Sequence, residues 1–250
     1  MPRTVGILGG MGPEATVLLM QKVIAATPAH DDADHIPFII DQNPQVPSRI
    51  RHLIEGTGED PGPVLAQMAQ RLQAAGAQAL AMPCNTAHHF APTIRASASV
   101  PLIDMVALSV ARAKGLAGAS GLVGVLASPA VRKIGLFDAA FQAAGLQAVY
   151  AADEDSMLAA IRSIKAQGAT SQSRAALLAA SGRLQAQGAA VQMIACTEFS
   201  LIADAIAPGV TCFDTLDELA HAIIAFASHG SGQHKAETEL PEQSAQAQTI

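Results

Sequence analysis

Residues 71–86, RLQAAGAQALAMPCNT, align without a gap on residues 183–198, RLQAQGAAVQMIACTE, at an offset of 112, and seven of the sixteen positions are identical. The same offset separates Cys84 from Cys196. The likeness extends outward: Val5-Gly6-Ile7-Leu8 answers Val123-Gly124-Val125-Leu126, and Leu102-Ile103-Asp104 answers Cys212-Phe213-Asp214. Two Ala-rich helices can coincide by chance, but chance does not also bring both cysteines into register. The chain reads as one unit used twice. Each copy runs as a Val-Gly-x-Leu strand, a helix ending in Gly-Ala, a strand ending in Cys and a strand ending in Asp.

Short β-branched runs alternate with longer Ala/Leu/Gln-rich stretches, the βαβ pattern of a parallel sheet covered by helices. Strands are expected at Thr4–Leu8, Ile36–Asp41, Gln78–Met82, Pro101–Ile103, Leu122–Leu126, Gln147–Tyr150, Val191–Ala195 and Thr211–Phe213. Helices are expected at Glu14–Ala26, Val64–Ala75, Ala87–Ala96, Val106–Lys114, Ala130–Ala144, Asp155–Gln167, Ser173–Gln187 and Leu216–Phe226. Pro13 and Pro63 fit first helical turns, and Gly76, Gly145, Gly168 and Gly188 fit helix ends. The predicted fold class is α/β, with two pseudo-symmetric Rossmann-like lobes, each a roughly four-stranded parallel sheet flanked by helices. The first lobe is assigned residues 1–105 plus 215–229 and the second 106–214. Residues 230–250, rich in Gln, Glu, Ser and Gly, predict a disordered tail.

Composition removes several classes of function. The longest run without Asp, Glu, Lys or Arg, Leu72–Ile94, carries Gln73, Gln78, Asn85, His88, His89 and two prolines, so it does not read as a bilayer span. The N-terminus enters Gly-rich sequence within a few residues, leaving no room for a signal peptide, and a cytoplasmic protein is expected. A net charge of −6 and 3% aromatics argue against nucleic acid, for which a basic footprint and stacking platforms are needed. Three cysteines without a C-x-x-C spacing suggest neither a disulfide framework nor zinc.

Ligands of parallel α/β sheets collect at the carboxyl ends of the strands. Each repeated cysteine follows such a strand and precedes polar residues, Asn85-Thr86 or Thr197-Glu198, where helix-forming sequence resumes. Backbone N–H groups at a helix start favour anions, which predicts lowered thiol pKa values and a seat for a substrate carboxylate. If the lobes face one another, the two thiols approach one small ligand from opposite sides. One thiolate then takes a proton from a carbon stereocentre while the opposite thiol returns one to the other face. A single strand-end cysteine would read as a small buried hydrophobe, as Cys212 does within Val210-Thr211-Cys212-Phe213. The registered pair does not.

Four motifs, Gly9-Gly10-Met11-Gly12-Pro13, Asn43-Pro44-Gln45-Val46-Pro47-Ser48-Arg49, Pro83-Cys84-Asn85-Thr86-Ala87-His88 and Ala195-Cys196-Thr197-Glu198, resemble the cofactor-independent aspartate/glutamate racemase family, particularly its aspartate racemase branch. The likeness spans about residues 3–226. It implies a pseudo-symmetric α/β enzyme, a homodimer, that racemises an acidic amino acid with neither cofactor nor metal. By the same resemblance Cys84 and Cys196 are the catalytic acid/bases. Asn85, Thr86 and Thr197 hold the α-carboxylate and amino group, Met11 lines the pocket, and Gln45, Ala87 and Glu198 join the substrate-binding set. Arg49 pairs with the side-chain carboxylate, a task suited to a guanidinium, which offers two parallel N–H donors. By the resemblance aspartate is the first substrate choice and glutamate or a broader range the second; aspartate-specific relatives carry a lysine where Ser171 aligns, which widens that choice, and relatives often have Gly where Ala195 stands.

Rival readings exist. Gly10-Met11-Gly12-Pro13-Glu14-Ala15 fits G-x-G-x-x-A after a first strand, with Asp41 ending the second, as in an NAD-dependent Rossmann enzyme. A two-lobed, non-catalytic amino-acid-binding protein would share the lobes. Neither gives the duplicated cysteines a task. His30-Asp31-Asp32-Ala33-Asp34-His35 reads as a solvated turn rather than a metal cluster, and Cys84 with His88 as a weak candidate for a hydrolase pair.

Overall fold

The computed structural model describes residues 2–228; the tail expected from residue 230 onward lies outside them. Among the described residues seven strands form, β1 (Val5–Gly9), β2 (Phe38–Gln42), β3 (Ala79–Ala81), β4 (Leu122–Ala127), β5 (Gln147–Tyr150), β6 (Val191–Ala195) and β7 (Cys212–Asp214). Helices are α1 (Pro13–Ala26), α2 (Gly62–Ala74), α3 (Ala91–Ser97), α4 (Met105–Ala117), α5 (Pro129–Lys133), α6 (Asp138–Ala144), α7 (Glu154–Gln167), α8 (Ser171–Ala186), α9 (Thr197–Ser200) and α10 (Thr215–Ser228).

Two all-parallel sheets result, ordered β2-β1-β3 and β5-β4-β6-β7. They are the two copies of the repeat, with β4, β5 and β6 in the places of β1, β2 and β3. The fourth strand expected at Pro101–Ile103 contracts to a single bridge between Leu80 and Leu102. Its ladder consists of Leu80 N–H donating to Pro101 O and Ile103 N–H donating to Leu80 O, each at 2.8 Å. Proline has no N–H to extend it one way, and Asp104 ends it the other way by capping α4 through Val106 and Ala107 N–H. The equivalent Asp214 accepts from Leu216 N–H at the start of α10.

The two halves also share a steric signature. A Cβ added to Gly6, in the middle of β1, would lie 2.8 Å from Ala77 Cβ and 3.1 Å from Leu72 Cβ and from a Leu80 methyl. At Gly124 in β4 the same test meets Ala189, Leu184 and Gln192 at 3.1 to 3.2 Å. Each of these three is the 112-offset partner of its counterpart at Gly6. Glycine in both central strands therefore lets the helix end that leads into β3 or β6 pack directly on the sheet.

Apolar side chains alternate along each central strand and fill both faces. Val5 and Ile7 join Leu19, Met105, Leu216, Leu219 and Ile223 beneath α1, α4 and α10, whereas Leu8 faces Leu65, Met68 and Leu72 of α2. Val123 and Val125 meet Phe137, Phe141 and Ala113, whereas Leu126 meets Ile161, Ile164, Leu177 and Leu184. The helix expected over Ala130–Ala144 is broken into α5 and α6, because Gly135 adopts φ +60° and hands the chain to Asp138. Residues Arg51–Glu55 form a π-helical turn that the sequence pattern does not announce.

Candidate active site

Parallel strands deliver the chain at their carboxyl ends, and here both sheets deliver it to one cavity of about 590 Å³. After β1, Gly10 turns with φ +93°, and any Cβ there would lie 2.4 Å from the Asn43 backbone, so only glycine lets the turns after β1 and β2 meet. Gly10 N–H donates to Thr16 Oγ1 of α1 at 3.0 Å, which anchors the turn. After β2, Asn43 Oδ1 accepts Gln45 N–H at 3.0 Å, and the chain curls through two prolines to Arg49. One Arg49 nitrogen donates to Val46 O at 3.2 Å and Pro47 O at 2.9 Å, so the loop itself orients the guanidinium, while Nε is buried with no partner. Ile50 then packs into the core of the other lobe, drawing this loop across the cavity.

Cys84 follows β3 and Cys196 follows β6, 8% and 7% exposed, and both line the same cavity. Met11, Gln45, Arg49, Thr86 and Glu198 line it with them. Asn85, Ala87 and Thr197 are buried and do not line it. Asn85 Nδ2 donates to Thr215 Oγ1 at 2.9 Å, and that hydroxyl donates to Ile194 O at 2.9 Å, so the turn after Cys84 is tied to the strand that leads into Cys196. Asn85 Oδ1 is buried without a partner.

His88 does not form the hydrolase pair. Its Nδ1 lies 2.9 Å from the Cys84 backbone oxygen, not from the sulfur, and Met105 N–H donates to Nε2 at 3.2 Å. The ring proton therefore sits on Nδ1. Burial depresses the His88 pKa and keeps the ring neutral.

Lys165 is a charged site residue that local pattern missed, and Ser128, Ile161, Ile164 and Leu201 line the cavity unannounced as well. Lys165 comes from α7, far in sequence from every motif, and pairs with Glu198 Oε1 inside the cavity. Burial opposes its charge, but the Glu198 carboxylate, with smaller contributions from Cys196 and Cys84, leaves its pKa above the ordinary lysine value. A signal existed: Met157, Ile161 and Lys165 continue one stripe at intervals of four, so this lysine stands on the apolar face of its helix. Ser171, by contrast, opens α8 and does not line the cavity.

The Cys196 thiol donates to Glu198 Oε2 at 3.1 Å. Its pKa is driven well above the ordinary thiol value, first by burial and then by the Glu198 charge, with Lys165 opposing. This reverses the lowering expected from a helix start: α9 has only four residues, and a carboxylate stands closer than any dipole could offset.

The dinucleotide alternative fits poorly. A Cβ at Gly12 would lie 3.4 Å from Glu198 Oε1, so a carboxylate occupies the side of the glycine turn where a pyrophosphate would approach. The Asp41 carboxylate, needed for a ribose, is held by Arg71 at 2.6 Å. The His30–His35 segment is a capped exposed turn, and among the described residues no group of three or more potential metal ligands occurs. None of the described helices is long and apolar enough to cross a membrane.

The chain resembles known racemases in family and in fold. The model of the family described as Asp/Glu/Hydantoin racemase matches residues 8–223. Among solved structures, an aspartate racemase from Picrophilus torridus is 26% identical, with 90% of this chain and 94% of that one covered and a TM-score of 0.79. An aspartate racemase homologue from Pyrococcus horikoshii shares the fold at 20% identity, covering 91% of this chain and all of the other, with a TM-score of 0.68. A glutamate racemase from Francisella tularensis in complex with D-glutamate does so at 16% identity, over 92% and 82%, with a TM-score of 0.62.

Proposed function

Since the chain belongs to the Asp/Glu/hydantoin racemase family and is an amino-acid racemase, we propose that it interconverts the L and D forms of aspartate, with glutamate the second candidate, by proton transfer between Cys84 and Cys196. The observation that carries this reading is the single cavity lined by both cysteines together with Arg49 and Lys165. Two thiols on opposite lobes suit removal and return of a proton on opposite faces of one carbon. Two cations suit a substrate with two carboxylates, and charge that develops on the carbon and α-carboxylate is stabilised best where little solvent competes. Arg49, fixed by its own loop, is assigned the side-chain carboxylate, and Met11, Gln45 and Thr86 the remaining contacts. Asn85, Ala87 and Thr197, which are buried and do not line the cavity, are assigned to substrate binding only by their place in the cysteine motifs.

The lobe boundaries are proposed at 105/106 and 214/215, with α10 returning to the first lobe, since Leu216, Leu219 and Ile223 pack with Val5 and Ile7. A homodimer remains part of the proposal on the strength of the sequence resemblance.

The test is incubation of the purified protein with L-aspartate in heavy water. Deuterium should enter at the α-carbon as optical rotation is lost, and Cys84→Ser and Cys196→Ser should each abolish racemisation. Tight binding without exchange would leave the non-catalytic binding protein, and full turnover in either variant would end the two-thiol assignment.

A further inference from the structure

Cys84 and Cys196 hold matching places in the repeat, yet their surroundings differ. The offset of 112 puts Thr86 where Glu198 stands. Glu198 Oε2 accepts the Cys196 S–H at 3.1 Å, while its Oε1 pairs with Lys165. Among the described residues no carboxylate is hydrogen-bonded to Cys84; its recorded partners are on the backbone, N–H to Met82 O and carbonyl to His88. Building on the two-thiol reading above, we propose that Glu198 is a positioning residue that holds the site's proton on Cys196, so that the empty enzyme rests poised for the enantiomer whose α-hydrogen faces Cys84.

The physical ground is direct. An acceptor carboxylate stabilises an S–H and repels the thiolate that would replace it. Burial works in the same direction, and the charged groups facing the Cys196 sulfur are Glu198 and Lys165, with Lys165 also within electrostatic reach of Cys84. In the favoured direction the Cys84 thiolate takes the α-hydrogen as a proton and the C–H electron pair stays on carbon. That pair then takes the proton of the Cys196 S–H, leaving a Cys196 thiolate and a Cys84 thiol. The reverse direction starts from this second arrangement, which Glu198 disfavours, so a proton must first leave Cys196 and another reach Cys84, exchanged with solvent.

The enantiomers have equal free energy in water, so kcat/KM is the same in both directions whatever the site contains. Proton placement is visible only when kcat and KM are separated. The disfavoured enantiomer carries a higher KM, because less of the free enzyme is competent to bind it, and a kcat higher by the same factor.

The experiment uses the full chain as wild type, Glu198→Gln and Lys165→Met, with kcat and KM measured separately for L- and D-aspartate, or for the glutamate pair if aspartate is not turned over. In parallel, ligand-free protein is alkylated with iodoacetamide and the rates at Cys84 and Cys196 are read by peptide mass spectrometry. Removing the carboxylate charge in Glu198→Gln should shift the ratio of the two KM values, and speed alkylation of Cys196, by about tenfold, the change that one pKa unit produces. Lys165→Met removes the group that opposes Glu198 at Cys196, and should slow alkylation of Cys196. A contact of Glu198 with the substrate ammonium group would instead raise both KM values equally, and a merely structural role would lower kcat/KM in both directions with the KM ratio unchanged; either result overturns the proposal. If the wild type racemises neither pair, the parent reading fails. Alkylation still decides for Glu198, since an unchanged Cys196 rate in Glu198→Gln refutes it.

Discussion

Replacing Lys165 with Met removes the ammonium from the Lys165–Glu198 pair and leaves a carboxylate whose side chain is 10% exposed, hydrogen-bonded to the Cys196 thiol. Breaking a fully buried pair typically costs about 3–5 kcal/mol, because the partner charge is stranded out of water. Here the lysine side chain is 36% exposed, so solvent reaches the pair and the charge interaction is screened. The expected loss is therefore nearer the cost of a buried polar group that loses its partner, about 1–3 kcal/mol. Met keeps the apolar stem that continues the Met157–Ile161 stripe, so packing of α7 changes little. Urea unfolding should show a lower midpoint at unchanged slope, and a thermal midpoint lowered by about 2–4 °C per kcal/mol for a chain of this size. Adding Glu198→Gln to Lys165→Met removes the stranded charge and should recover most of the loss. A single variant within about 0.5 kcal/mol of wild type, the range of an ordinary surface substitution, would refute this reasoning. So would a double variant less stable than the single one.

Two further outcomes follow from the structure. Gly6→Ala should destabilise by about 1–3 kcal/mol, and by more than Gly124→Ala, because its added methyl meets a rigid Cβ at 2.8 Å rather than 3.1 Å; chemical denaturation compares them, and equal, negligible losses would contradict the close packing. Asp214 is pushed up to about 6, first by burial and against Leu216 N–H, Lys22 and Ser200. Its folded pKa thus exceeds the unfolded value of about 3.9, so the native state binds the extra proton and stability from this group falls as pH rises between about 4 and 6, by about 3 kcal/mol. Asp214→Asn, which keeps an N-cap oxygen, should flatten that part of the stability–pH curve, and an unchanged slope would show that another group causes it.

Much of the fold was legible because its signals are local. Two expected strands, Gln147–Tyr150 and Val191–Ala195, match the observed bounds, and Gly145 ends its helix in the left-handed conformation. The interrupted helix at Gly135 was not legible, since helix-forming sequence continues on both sides of a single glycine. Nor was the contracted strand at Leu102, whose length depends on which neighbour can donate a hydrogen bond.

The sequence by itself determined the duplication, the parallel lobes and the position of a cysteine at each repeated strand end, because these are written in spacing, hydrophobic period and register. Only the tertiary structure decided what surrounds the sulfurs. Lys165 and Glu198 meet across 33 residues of chain, and Asn85 reaches Thr215 across 130. Electrostatics depends on distance in space and on exclusion of water, neither of which a linear pattern records. Two cysteines identical in register thus acquire different neighbours, a carboxylate for Cys196 and backbone partners for Cys84.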